Sequence, residues 1–283
     1  MLATATMQPS VLTVNGTPVT FYDSRDAKGR SDVLLLIHGT AGSTATHFGF
    51  LFPILAAKQR VIAVDLSRPN IDGAALQMED LVAQVASTIE EVLPRRKVVL
   101  LGYSLGAVVS AVLAARHPDL VARLILISGW IKTDLQQLLR NDIWLALRKS
   151  GSDALREYTT FCAFGGPYLA TKSRVDVQPG MDQTVFDEFG DLQMDLNRRI
   201  DIVEDAHLIS APTLVIGCTH DQMAPIRHQK DLFGAIADAR FAEIPSGHAV
   251  VIERPSELCH HVQRFLDDPS EHDAGTIIGI PQP

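Results

Sequence analysis

The chain has 283 residues, 46% of them hydrophobic, which is enough for one large core or two modest ones. A formal net charge of −8 argues against nucleic acid or an anionic membrane surface as a partner. No apolar run is long enough to span a bilayer, and Met1 to Ser10 lack the basic start and apolar centre of a secretory signal. Cys162, Cys218 and Cys259 are odd in number and show no metal-ligand spacing. They fit free thiols in a reducing compartment, so a cytoplasmic location is expected.

Val11 to Val14, Asn15-Gly16 and Thr17 to Tyr22 predict a β-hairpin, because Asn-Gly is a strong two-residue turn signal. Asp23 to Asp32 is polar and reads as a loop. Val33 to Ile37 is a buried strand that runs into His38-Gly39-Thr40-Ala41-Gly42-Ser43. Phe48, Phe50, Phe52 and Pro53 lead a short helix carrying Leu55, and Val61 to Asp65 is the next strand. Gln77 to Leu93 has apolar residues at 78, 81, 82, 85, 89 and 92, the spacing of an amphipathic helix.

The strand Val98 to Leu101 ends in Gly102-Tyr103-Ser104-Leu105-Gly106, and the Ala-rich run Val108 to Ala115 starts at once. Strand, tight turn and helix in that order make a nucleophile elbow. So tight a turn strains its central residue and leaves no room for flanking side chains, hence Gly102, Gly106 and the small Ala107. The Ser104 hydroxyl is then held out at the carboxyl end of a strand, and the Leu105 amide points into the same space. Acyl transfer needs a second converging N–H. The turn after Ile37 is expected to supply it from Thr40, with His38 fixing that turn rather than acting as a base.

Arg123 to Ser128 gives another strand, after which the alternation of strand and helix stops. Thr133 to Lys149 and Ser152 to Phe164 read as helices, Val175 to Gly180 as a loop broken at Pro179-Gly180, and Met181 to Asp201 as one or two more helices. This stretch is expected to be a helical cap inserted between sheet strands. Its aromatic residues exceed what a solvated helix needs, so some should roof the cleft above Ser104. Phe48, Tyr103, Trp144 and Phe164 are the expected pocket residues. The insertion offers few groups suited to a charged substrate, which favours a small, largely apolar one.

Alternation resumes with a strand around Thr213 to Gly217, a loop carrying Asp221, a helix from Pro225 to Ala235 and a strand from Arg240 to Ile244. Gly247-His248 follows, then a helix from Pro255 to Asp268. The expected fold is α/β, a doubly wound, mostly parallel eight-stranded sheet with an inserted helical cap. Residues 1–130 and 207–268 form its core, 131–206 its cap and 269–283 a C-terminal tail.

A serine nucleophile needs a base, and the base needs an orienting acid. In open parallel sheets, loops at the carboxyl ends of strands meet on one edge. Ser104, Asp221 and His248 each lie just past such an end, in the chain order Ser, Asp, His. Asp134, beyond the strand ending at Ser128, is the rival acid. No His pair has metalloprotease spacing, so no metal is expected.

With these motifs the chain resembles the α/β-hydrolase superfamily, in the branch with a helical cap. The resemblance spans Val11 to Asp268 and rests on Leu36-Ile37-His38-Gly39-Thr40, Gly102-Tyr103-Ser104-Leu105-Gly106, the run Ala211 to Gly217 with Asp221 and Pro225, and Gly247-His248. Relatives usually carry Pro-Gly-x-Gly-x-Ser after the strand ending at Asp65, where this chain has Leu66 to Gly73 instead. Serine at the elbow separates it from the dehalogenase and epoxide-hydrolase branches, which use Asp there.

The implied reaction is hydrolysis of a carboxylic ester, thioester or lactone. His248 would take the Ser104 proton, Asp221 would steady the imidazole, and the Leu105 and Thr40 amides would hold the oxyanion. No cofactor is needed, and the partner is a small-molecule substrate. Carbon–carbon bond hydrolysis, acyl transfer to an alcohol and cofactor-free haloperoxidation use the same residues. A non-catalytic small-molecule binder is the alternative of another class.

Overall fold

The computed structural model describes residues 8–25, 30–71 and 73–279. The chain opens as a hairpin of β1 (Pro9–Val14) and β2 (Thr17–Asp23), turned at Asn15 and Gly16 with φ of 48° and 79°. Next come β3 (Arg30–Ile37), α1 (Thr44–Phe48), α2 (Leu51–Ala56), β4 (Gln59–Asp65), α3 (Met78–Val92), β5 (Val98–Tyr103), α4 (Leu105–Arg116) and β6 (Val121–Ile127). A helical stretch follows: α5 (Leu135–Ser150), α6 (Ala154–Ala163), α7 (Gly166–Leu169), α8 (Arg174–Gln183), α9 (Glu188–Arg198) and α10 (Val203–Leu208). The chain then returns to the sheet with β7 (Thr213–Cys218), α11 (Ile226–Ala235), β8 (Ala239–Ile244), α12 (Val250–Glu253), α13 (Pro255–Asp267) and β9 (Ile277–Ile278).

Among the described residues the sheet has nine strands in the order β1-β2-β4-β3-β5-β6-β7-β8-β9. The β1–β2 and β2–β4 pairs are antiparallel and all the others parallel. Eight of these strands were expected. The ninth comes from the stretch read as a tail, where Ile277 and Ile278 pair with Phe241 and Ala242. Ion pairing of Arg264 with Glu271 and the bond from Arg240 Nε to His272 O, 2.7 Å, hold the approach to it.

The parallel strands are buried on both faces, so they read as unbroken apolar runs. Leu35, Ile37, Leu100 and Leu126 pack with α3 and α4, while Leu34, Leu36, Leu101 and Ile127 pack with α1, α2 and α13 on the other face. The helix α4 is buried from Leu105 to Ala114, as suits one that is apolar all round. A separate small cluster of Trp144, Leu155 and Met194, with Phe186 against it, ties α5, α6 and α9 to one another.

One prediction fails here. Val175 to Gly180 is helical, inside α8, not a loop. Ser173 and Asp176 form a capping box at its start, which favours the helix. Pro179 is exposed, so the carbonyl that loses its partner can turn to water.

Candidate active site

The elbow positions the serine. Ser104 has φ 57° and ψ −121°, between the end of β5 and the first turn of α4. Its N–H donates to Ile127 O at 2.8 Å, which fixes the turn against β6. A Cβ on Gly102 would meet Gly106 O at 2.2 Å, and one on Gly106 would meet Ile37 O at 2.1 Å. Glycine is therefore required on both sides because backbone passes backbone without a gap. Leu105 and Gly106 open α4, where amides have no intrahelical acceptor.

β7 and β8 bring the other two residues. The His248 and Ser104 side chains meet at 2.8 Å between Nε2 and Oγ, and His248 Nδ1 lies 2.7 Å from Asp221 Oδ2. Asp221 Oδ1 accepts from the N–H groups of Met223 and Ala224, at 2.8 and 2.9 Å. That occupies one carboxylate oxygen and aims the other at the imidazole. All three side chains lie in the protein, with Ser104 and His248 each 7% exposed and Asp221 6%. Asp134 goes elsewhere, capping α5 and pairing with Arg227, so it is not the acid of this row.

Tyr103 is buried beneath His248, and its hydroxyl donates to His248 O at 2.9 Å. Burial, with the negative charge of Asp221 nearby, pushes the phenol well above its ordinary range, so it stays a donor. The Cys218 thiol is pushed up to about 12 by burial and is likewise neutral there.

The loop after β3 packs against the elbow: a Cβ on Gly39 would lie 2.8 Å from Ser104 Cβ. Within it, Gly39 N–H donates to His47 Nδ1 at 3.1 Å and Ala41 N–H to Gln193 Oε1 at 2.7 Å. Thr40 lies between these two anchors. Its Oγ1 accepts from Asn197 Nδ2 at 2.9 Å. Burial holds the His47 imidazole down at about 3, so it is neutral and Nδ1 is free to accept. His38 fixes the turn, as expected: Nδ1 donates to Gly39 O at 2.8 Å, and Nε2 accepts from Leu66 N–H at 2.9 Å. A single neutral tautomer satisfies both bonds, and burial lowers the ring's affinity for a second proton.

Two expected pocket residues are corrected. Phe48 is 0% exposed and packs in the core with Leu51 and Phe52, so it lines no cleft. Trp144 is a packing residue of the helical cluster with Leu155 and Met194. Phe164 is half-buried, stacks on Tyr168 at 5.1 Å, and its backbone borders Gly247 beside His248.

Three positions escaped the sequence reading. Gln193 and Asn197 are polar residues at i, i+4 on the buried side of α9, and that misplaced polarity was the available signal. Glu253 gave none. Its carboxylate accepts from Gly165 N–H at 2.8 Å and from Gly247 N–H at 3.1 Å. With the bond from Ala249 N–H to Ala163 O, 2.9 Å, it ties both neighbours of His248 to the end of α6. Among the described residues no group of three or more His, Cys, Asp or Glu could hold a metal ion.

Sheet order, elbow and converging loops define a hydrolase of the α/β type, and the chain belongs to the alpha/beta hydrolase family, whose profile matches residues 34–261. It is an enzyme of that class. A curated relative, the pyrrolizixenacetamide deacetylase of Xenorhabdus hominickii, is 31% identical over 247 residues, covering 84% of this chain and 92% of the relative. An alpha/beta hydrolase enzyme from a Medee basin deep-sea metagenome library has a TM-score of 0.80 at 20% identity, covering 92% of this chain and 98% of that one. The enol-lactonase of Burkholderia xenovorans has a TM-score of 0.77 at 23% identity, covering 92% of this chain and all of its own, 100%. No helix among the described residues is long and apolar enough to cross a membrane.

Proposed function

We propose that the protein is a serine hydrolase that cleaves a carboxylic ester, thioester or lactone of a small molecule through an acyl-enzyme. The observation that carries this reading is the unbroken hydrogen-bonded row from Ser104 Oγ through His248 to Asp221. Ser104 Oγ attacks the carbonyl carbon while His248 Nε2 takes its proton. Asp221 holds the ring's Nδ1–H and offsets the positive charge that forms. The oxyanion lies against the Leu105 and Thr40 amides. His248 then protonates the leaving group as the carbonyl reforms. Water, deprotonated by His248, releases the acid and restores Ser104. Every step uses groups of this chain and calls for no cofactor.

Helices α5 to α9 act in this reading as a cap over the site, a role supported by their bonds to the loops of Thr40, Asp221 and His248. The three cysteines are free and buried, which supports work in the cytoplasm. The relative's name, a deacetylase acting on an acetamide, widens the acyl bonds worth testing. The test is labelling with a fluorophosphonate probe followed by peptide mass spectrometry, and then a panel of esters, thioesters, lactones and aryl acetamides. Labelling at Ser104 with turnover of one class supports the proposal. An unlabelled, inactive protein across the panel overturns it.

A further inference from the structure

Arg140 is the odd arginine of the helical insertion. Its neighbours are all satisfied: Arg148 pairs with Asp191, Arg174 with Glu157, Arg198 with Asp142 and Arg199 with Asp195. Arg156 donates to the carbonyls of Met181 and Thr184. Among the described residues, Arg140 forms no ion pair with any carboxylate. Its Nη2 donates to the neutral Oδ1 of Asn141, which is itself buried, and its Nε is buried with no partner. A guanidinium offers five N–H donors in a rigid fork. A half-buried guanidinium with its Nε buried and short of acceptors is stabilised when a counter-charge arrives.

The surroundings show where this cation faces. One turn before it, Gln137 Nε2 donates to Met223 O at 3.4 Å, so this side of α5 abuts the loop that carries Asp221. The Tyr158 hydroxyl, from α6, donates to Arg140 O at 3.0 Å. The same α6 ends on the His248 loop through Ala163. The charged or titratable groups close enough to act on the guanidinium are Cys162, Tyr158 and Asp221. Burial pulls its affinity for the proton below the ordinary arginine range. Arg140 thus sits between α5 and α6 on the side of the insertion that faces the Asp221 and His248 loops.

We propose that Arg140 binds a carboxylate on the substrate, at the end remote from the bond that is cleaved. One unpaired guanidinium balances one negative charge and matches the planar, two-oxygen edge of a carboxylate; a phosphate dianion would need a second cation. The substrate is then a half-ester, thioester or lactone of an acid that keeps a free carboxylate. This departs from the apolar substrate expected from the aromatic content of the insertion. It rests on the reading of Ser104 as the nucleophile.

The test uses monoethyl glutarate, adipate and suberate, each beside its diethyl ester, on wild type, Arg140→Met and Arg140→Lys. The readout is the ratio of kcat/KM for the half-acid to that for its diethyl ester. Wild type is expected to favour the half-acid at one chain length by at least about tenfold, Arg140→Met to lose that preference through KM, and Arg140→Lys to recover part of it. Arg140→Gln is the second uncharged variant should the Met variant fold poorly. A wild-type ratio of one or less at all three lengths, or an unchanged ratio in both uncharged variants, overturns the proposal and leaves the nucleophile standing. If wild type hydrolyses neither ester at any length, binding decides, and labelling of Ser104 by the fluorophosphonate probe tells separately whether the nucleophile reading stands. Calorimetry on Ser104→Ala should then detect monoethyl adipate or its homologues, with about tenfold weaker binding once Arg140→Met is added. No binding, or binding blind to Arg140, overturns it.

Discussion

At Ser104 the backbone adopts φ 57°, a conformation that costs a non-glycine residue about 1–3 kcal/mol and persists only where its surroundings enforce it. The enforcement is the close passage of β3, β5 and α4. Gly106→Ala would drive a Cβ to 2.1 Å from Ile37 O and 2.6 Å from His38 O, both backbone atoms. Overpacking of that kind costs about 1–3 kcal/mol or more, so a melting temperature several degrees lower is expected by circular dichroism. Ser104→Ala removes only an oxygen. It should melt with wild type while hydrolysis falls by several orders of magnitude in steady-state assays. Near wild-type turnover would move the chemistry elsewhere. The elbow was legible because its residue types are dictated by backbone crowding over five consecutive positions. The bond that Tyr103, in the same five, makes to His248 O was not legible. The partner of its hydroxyl lies on a distant loop, and no local pattern encodes such a pairing.

The elements around the site divide by the same logic. Strands and sheet-facing helices were legible from apolar runs and periodicity, and so were the loops that end at Asp221 and His248. The α8 helix was not, because Pro179-Gly180 outweighs a capping box when only local signals are read. Nor was α9 as a brace, although it reaches the loop of Thr40 twice, through Gln193 and Asn197. Asn197→Ala should loosen that loop; with the Thr40 amide holding the oxyanion as proposed, kcat should fall about tenfold with little change in KM, because such a contact matters most in the transition state. A fall in kcat matched by a large fall in melting temperature, with KM raised as well, would make the contact merely structural. Glu253→Ala strips two part-buried amides of their acceptor. A stability loss of about 1–3 kcal/mol is expected by urea titration, together with a fall in kcat that mutating a surface glutamate such as Glu204 does not reproduce.

For the whole molecule, buried neutral histidines set the response to acid. Burial lowers His47 from 6.5 to about 3 and His261 from 6.5 to about 4. Between those values and 6.5 the unfolded chain binds more protons than the folded one, so their stabilising contribution is complete above 6.5 and is lost as the pH falls. The melting temperature should therefore drop from pH 7 to pH 5, before the surface carboxylates titrate, and His261→Gln should flatten the drop. A flat wild-type profile over that range would contradict neutral burial. The tethering of Gly247 and Ala249 to the end of α6 carries a further meaning. Through these bonds α6 and the His248 loop are held as one part, so in the proposed reading a displacement of α6 would carry the imidazole away from Ser104.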